Sequence, residues 1–174
     1  MKKIVIIGAN DFQNQLILKA KEMGFETHVF AWQDGSIGER TADYFYPVSI
    51  VEIDEILEKC KEIKPDAVAT IASDLANITV SKVAAGLGLP GNTPECIEIS
   101  TNKYAMRSAF LKAGIPTPAF YKVDQVQDEL YKMKLPVIVK PTDRSGSRAI
   151  TKITDFKDLE GAIQDAVEQS FEKK

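Results

Sequence analysis

LPVIVKPTDRSGSRAITKI, residues 135–153, decides how this chain is read. Val137-Ile138-Val139 and Ala149-Ile150 are apolar runs flanking a short polar loop. The loop carries Gly146 between Ser145 and Ser147, with Lys140, Arg144, Arg148 and Lys152 around it. β-Branched runs bounded by proline and a Gly/Ser cluster predict two strands joined by a loop. A loop of small residues exposes backbone N–H groups, and the nearby cations suit a phosphate-like anion. The stretch is therefore a strand-loop-strand element with a candidate anion site.

Working outward, the whole chain sets limits. Its 174 residues suffice for one medium domain or two small ones. An apolar fraction of 44% and a charged fraction of 27% are ordinary for a globular protein. A net charge of −3 gives no overall attraction to nucleic acid or to an anionic membrane, so an anion site must be local. Cys60 and Cys96 form no CxxC and stand near no histidine cluster, which predicts a reduced, cytoplasmic protein. The apolar run Ile4-Val5-Ile6-Ile7 is too short for a signal peptide and reads as a buried first strand.

Residues 3–92 alternate strand and helix. Strands are expected at 4–7, 27–31, 44–48 and 67–71. Helices are expected where Leu16, Ile17, Ala20 and Met23, then Ile53, Ile56, Leu57 and Cys60, and then residues 75–87 show helical spacing. Residues 32–40 read as a polar loop. This alternation predicts a doubly wound parallel α/β sheet. The dense punctuation of Leu89-Pro90-Gly91-Asn92-Thr93-Pro94 places the domain boundary after Asn92. Beyond it the expectation is a small α+β segment, residues 93–174, with antiparallel character. It comprises a helix at 102–113, a short strand at 119–123, a helix at 126–133, the opening hairpin, and a last amphipathic helix at 156–171.

Together these residues resemble a family. NKYAMRSAFLKAGIPTPAF (102–120), followed after a helix by LPVIVKPTDRSGSRAI, is similar to the start of the ATP-grasp fold. Residues 1–92 look like the domain preceding it in biotin carboxylases, carbamoyl-phosphate synthase large subunits and purine-pathway carboxylate–amine ligases. The resemblance implies that Lys140, at a strand end, and Lys103, opening a helix, contact ATP phosphates. It implies that the loop 143–148, with Ser145, Gly146, Ser147 and Arg148, folds over the β- and γ-phosphates as a lid. It implies a reaction in which ATP phosphorylates a carboxylate or bicarbonate and an amine displaces the phosphate. Positioning and charge neutralisation carry the rate of such a transfer. Arg148 reads equally as an exposed hairpin residue, and Arg107, one turn after Lys103, as surface charge or as a further phosphate-facing cation.

The chain departs from the family pattern in two ways. It has one glycine in the loop where many relatives have several, and Ala149 where a glycine often follows the basic residue. It also stops at Lys174, and Glu172-Lys173-Lys174 offers no substitute for the second lobe that, by the resemblance, brings the Mg²⁺ ligands. The expectation is the front part of a ligase, with no metal site of its own, whose C-terminal lobe comes in cis or in trans. Self-association as a homodimer is a further expectation.

Other motifs read two ways. Gly8-Ala9-Asn10-Asp11 follows the first strand but lacks the remaining glycines of a dinucleotide fingerprint, which disfavours a nicotinamide-dependent oxidoreductase. It is a turn in which Asp11 is an acceptable helix cap. By the resemblance Asn10 borders an acceptor-substrate pocket for a small molecule. Ser73 and Asp74 lie at a strand's carboxyl end, where each suits either a helix cap or ligand binding. His28, Trp32, Tyr44 and Tyr46 read as packing residues. The competing function is a non-catalytic binding or assembly module.

Overall fold

The computed structural model describes residues 1–171 and 173 and divides into two compact units, Met1–Ile97 and Glu98–Lys174. In the first unit β1 (Lys3–Ile7), β2 (Glu26–Phe30), β3 (Tyr44–Tyr46) and β4 (Ala67–Ala69) form one parallel sheet in the order β3-β2-β1-β4. Its helices are α1 (Asp11–Glu22), α2 (Ile37–Thr41), α3 (Ile53–Ile63) and α4 (Asp74–Leu87). The apolar run of β1 is continuous because both its faces are covered. Ile4 and Ile6 pack with Ile17, Ala20 and Val29, whereas Val5 and Ile7 pack with Phe30, Ile56, Cys60 and Val83. Each fully buried Ile or Val of this strand stabilises the unit by about 1.5–3 kcal/mol.

The parallel sheet agrees with the sequence expectation, and one short helix does not. Residues 37–41 were expected as loop, because Gly35 and Gly38 break any periodicity. They form α2, which Glu39 holds by accepting hydrogen bonds from the Asp34 and Gly35 N–H groups at 2.9 and 2.6 Å. Gly38 donates its N–H to the Ala9 carbonyl at 2.9 Å, and a Cβ there would lie 2.6 Å from that oxygen. Only glycine permits this approach of α2 to the loop after β1.

In the second unit, α6 (Lys103–Lys112) precedes an antiparallel pair, β5 (Val137–Val139) with β6 (Thr151–Ile153), and α7 (Leu159–Gln169). Its core gathers Leu130, Ile153, Leu159, Ala162 and Ile163. The division between units falls within α5 (Pro94–Thr101), a helix the sequence reading did not expect between the punctuation at 89–94 and the helix at 102–113. Pro94 opens it and the Thr93 hydroxyl accepts from Cys96 N at 3.1 Å, a legible start signal.

Three further expectations are corrected. The second hairpin strand is 151–153, not 149–150, because Gly146, Ser147 and Ala149 all adopt positive φ and widen the turn. Residues 119–123 form no strand, since Pro116 and Pro118 lack donors and no neighbour pairs with them among the described residues. The helix expected at 126–133 is a 3₁₀ turn at Asp128–Lys132.

Candidate functional site

The second unit contains a cavity of about 710 Å³, the size of a small-molecule site. Lys103, from the first turn of α6, and Lys140, directly after β5, both line it. So do Arg107, Lys122, Lys132 and Lys134, and among the described residues no acidic side chain does. Leu130, Leu159, Ile163 and Val167 form an apolar wall. Cations around an apolar wall suit a ligand that is anionic at one end and apolar at the other.

The start of α6 is fixed by hydrogen bonds. Asn102 is buried and its Oδ1 accepts from Tyr104 N at 3.0 Å and Ala105 N at 3.1 Å. Lys103 N donates to the Thr142 carbonyl at 2.8 Å, which ties the helix to the residues after β5. These three N–H groups are therefore taken, and attraction for an anion must come from side chains. The Lys103 ammonium donates to the Arg144 carbonyl, and Arg107 Nη1 donates to Thr117 Oγ1 at 2.9 Å. Lys140 makes no ion pair among the described residues. The Thr142 hydroxyl, also on the cavity lining, is buried without a hydrogen-bond partner among the described residues.

The loop after Lys140 has an anchored root and an open tip. Asp143 accepts from Ser170 Oγ at 3.0 Å and from Phe171 N at 3.1 Å. Arg144 donates from Nε to the Gln169 carbonyl and lies 3.9 Å over the Phe171 ring. A cation at the carboxyl end of α7 also meets the negative end of its dipole. Ser145, Gly146, Ser147 and Arg148 are exposed and lie outside the cavity lining.

In the first unit, a smaller cavity of about 140 Å³ opens at the carboxyl ends of the strands. Asn10 and Ser73 line it, with Gln13, Trp32 and Asp34. Both expected residues are also helix caps. Asn10 Oδ1 accepts from Phe12 N at 2.9 Å and Gln13 N at 3.4 Å, so Asn10 and not Asp11 caps α1. Ser73 Oγ accepts from Ala76 N at 3.2 Å, and Asp74 is the first residue of α4. Trp32 is 67% exposed, which corrects its reading as a packing residue. His28 is buried between partners, with Nε2 2.8 Å from Glu26 Oε1 and Nδ1 2.9 Å from the Tyr46 hydroxyl, and its ring stacks on Tyr44 at 4.7 Å. The histidine holds Glu26 below the usual carboxylate range and serves the strand pair.

No family model matches the chain. A formate-dependent phosphoribosylglycinamide formyltransferase of Prochlorococcus marinus subsp. pastoris is 23% identical over 174 residues, 97% of this chain and 44% of that protein. The crystal structure of an L-amino acid ligase from Bacillus licheniformis matches with a TM-score of 0.79 at 24% identity, over 94% of this chain and 42% of that one. The biotin carboxylase domain dimer of the Hydrogenobacter thermophilus 2-oxoglutarate carboxylase, solved with MgADP, ADP and bicarbonate, also gives 0.79, at 20% identity over 97% and 42%. These proteins are matched over their N-terminal part. The chain has the N-terminal fold of the ATP-grasp ligases. It spans less than half the length of the curated relatives it matches.

Within this ATP-grasp fold, the residues present fit the nucleotide better than the metal. Six cations suit phosphate oxygens. Among the described residues no group of three or more His, Cys, Asp or Glu side chains could hold Mg²⁺. Glu172 and Lys174 lie outside the described residues. The sequence reading named Lys103 and Lys140, and both stand on the cavity lining. It did not name Lys122, Lys132 and Lys134, which also line the cavity and lie in segments of irregular backbone and 3₁₀ turn where no periodicity marks a face.

Proposed function

We propose that this chain supplies the phosphate-binding part of the ATP site in an ATP-dependent carboxylate–amine or bicarbonate-using ligase. The observation that carries this reading is the cavity of the second unit, where, among the described residues, Lys103 and Lys140 stand with four more cations and no carboxylate. The ligase names of the matched proteins, and the MgADP bound by one of them, support it. In this reading the γ-phosphoryl group of ATP passes to a carboxylate or bicarbonate oxygen and ADP leaves. The amine nitrogen then attacks the acyl carbon, and phosphate departs.

This chain's residues bind and orient. Lys103 and Lys140 neutralise phosphate charge through charge-assisted hydrogen bonds, which are about twice as strong as neutral ones. Ser145, Gly146, Ser147 and Arg148 form a lid that closes over the β- and γ-phosphates, hinged at the root that Asp143 and Arg144 anchor. Asn10 and Ser73, on the lining of the first unit's cavity, would face the acceptor, a small molecule; Asp74, the first residue of α4, is not on that lining. The bound metal would polarise the phosphates; its ligands belong to a C-terminal lobe in cis or in trans, and no step is assigned to this chain through it. The two unbridged cysteines suit a reducing compartment, and we assign the protein to the cytoplasm.

Isothermal titration of the chain with ATP, with and without Mg²⁺, tests the reading. Wild type should bind, and Lys140→Ala should bind about 10- to 100-fold more weakly, the cost of one hydrogen bond to a charged group. The reading falls if the wild-type chain binds neither form, or if Lys140→Ala binds as wild type does.

A further inference from the structure

We propose that the cavity of the first unit is a cation site, taking a planar nitrogen cation, a guanidinium or amidinium group, stacked on Trp32 and paired with Asp34. That this group belongs to the acceptor of the ligation rests on the functional reading above; the binding itself does not.

Topology sets the place. In the order β3-β2-β1-β4, β2 and β3 lie on one side of β1 and β4 on the other, so the winding reverses between β1 and β4. Open α/β sheets bind ligands outside the carboxyl ends of their strands at such a point. Gly8 and Asn10, after β1, and Ser73, after β4, line the cavity there. Its volume of about 140 Å³ is near that of a cavity that holds one benzene ring.

The lining sets the charge. Among the described residues it includes the Asp34 carboxylate and no Lys, Arg or His. Asp34 Oδ1 accepts from the Ser36 hydroxyl and from Ser36 N at 3.0 Å, and these bonds hold the carboxyl below the usual carboxylate range. Its Oδ2 has no partner among the described residues. Asp34 N and Gly35 N both donate to Glu39, so the carboxylate stands on a fixed turn. Gln13, also on the lining, is 1% exposed, and its Nε2 donates to the Ile71 carbonyl. That bond fixes the amide and leaves Oε1 as an acceptor. Oε1 has no partner among the described residues and, unlike the orphaned Asn14 Oδ1, is not sealed from solvent. The cavity thus offers unfilled acceptors and one negative charge. A guanidinium donates through several N–H groups and accepts nothing, which matches both. The Trp32 indole, 67% exposed on the same lining, supplies the face on which such a plane stacks, and tryptophan is the strongest ring for a cation. A phosphate or carboxylate would meet the charge of Asp34 and find no cation on the lining.

Trp32 is the only tryptophan of the chain, so its indole N–H resonance reports this cavity alone. The probes are methylguanidinium, its neutral isostere methylurea, and inorganic phosphate, each titrated into the 174-residue chain at one ionic strength. Methylguanidinium should shift the indole resonance saturably, and methylurea should bind at least about tenfold more weakly. Asp34→Asn keeps the acceptor that Ser36 uses and removes the charge. It should bind methylguanidinium about 5- to 20-fold more weakly, with the resonances of residues 35–39 showing that the turn is kept. Trp32→Ala, followed through the Gly35 N–H resonance, should bind about 3- to 10-fold more weakly. The inference is overturned if methylguanidinium gives no saturable shift below about 100 mM, if methylurea or phosphate binds as tightly, or if Asp34→Asn binds as wild type does. Each of these results leaves ATP binding by the second unit, and the functional reading with it, untouched. A chain that takes methylguanidinium and no ATP keeps the cation site and loses the ligase.

Discussion

At the scale of single residues, backbone conformation and thiol burial make two sharp predictions. Ala149 sits at φ 50°, a left-handed conformation that costs an L residue roughly 1–2 kcal/mol. Glycine removes that cost and adds back-bone entropy to the unfolded chain, so Ala149→Gly should stabilise by up to about 1 kcal/mol. Ala149→Val, branched at Cβ, should destabilise. Urea denaturation midpoints of the three proteins check the order, and a Val variant as stable as Ala149→Gly would refute it. The two cysteines differ in the same local way. Cys60 is wholly buried on α3 and its thiol is pushed up to about 12 by desolvation, whereas Cys96 is exposed. A thiol reagent at mildly alkaline pH should therefore titrate Cys96 rapidly in the native chain and reach Cys60 only on unfolding. Two equally fast thiols would contradict the burial of Cys60.

At the scale of elements, caps and cross-links carry the stability that the apolar pattern does not. Asn102 closes the start of α6 with two hydrogen bonds, and Asn102→Ala should cost about 1 kcal/mol, more if the buried carboxamide packs well. The same variant should weaken ATP binding, since it loosens the turn that presents Lys103. Asp43 ties α1, β2 and β3 together. Partial burial works against its ionisation, but the Lys21 ammonium at 2.7 Å and the Thr27 N–H and hydroxyl at 2.9 and 2.8 Å prevail and bring it from 3.8 to about 2. A depressed carboxylate stabilises the fold fully above its unfolded value and loses that contribution as pH falls through the folded one. Stability from Asp43 is thus complete above pH 3.8 and disappears on the way to about 2. Urea melts on either side of pH 3.8 should show a shallower acid loss in Asp43→Asn, along with lower stability at neutral pH. These links also mark the limit of sequence reading. The parallel sheet was legible because β1 is apolar on both faces, and α6 because Asn102 and Gly114 bracket it. The helix α2 was not, because it stands on Glu39 reaching back to a turn and on Gly38 meeting Ala9. The run at 119–123 misled because its β-propensity lacked a partner strand.

At the scale of the whole molecule, the distribution of charge sets how a nucleotide would be held under the proposed reading. The chain is net acidic at −3, yet among the described residues the cavity of the second unit is lined by six cations and no acid. Long-range attraction is therefore small, and affinity must come from short contacts inside the cavity, where screening is weaker. Lys103 and Lys140 were legible because each stands at an element's end, where a side chain is aimed by regular backbone. Lys122, Lys132 and Lys134 were not, because only the tertiary fold brings them to the same lining. None of these groups can ligate Mg²⁺, and no described cluster of acids can either. In the proposed reading Mg²⁺ on the nucleotide neutralises part of the charge that the lysines would meet, and among the described residues no acidic cluster holds it in return. Free ATP should therefore bind the chain at least as tightly as MgATP, and Lys140→Ala should lose more affinity for free ATP than for MgATP. Calorimetric titration in EDTA and in excess Mg²⁺ makes the comparison, at one ionic strength so that screening is common to both. A tenfold preference for MgATP would require a metal site within this chain and would remove the division of labour, with phosphate here and metal in a further lobe, on which the functional reading rests.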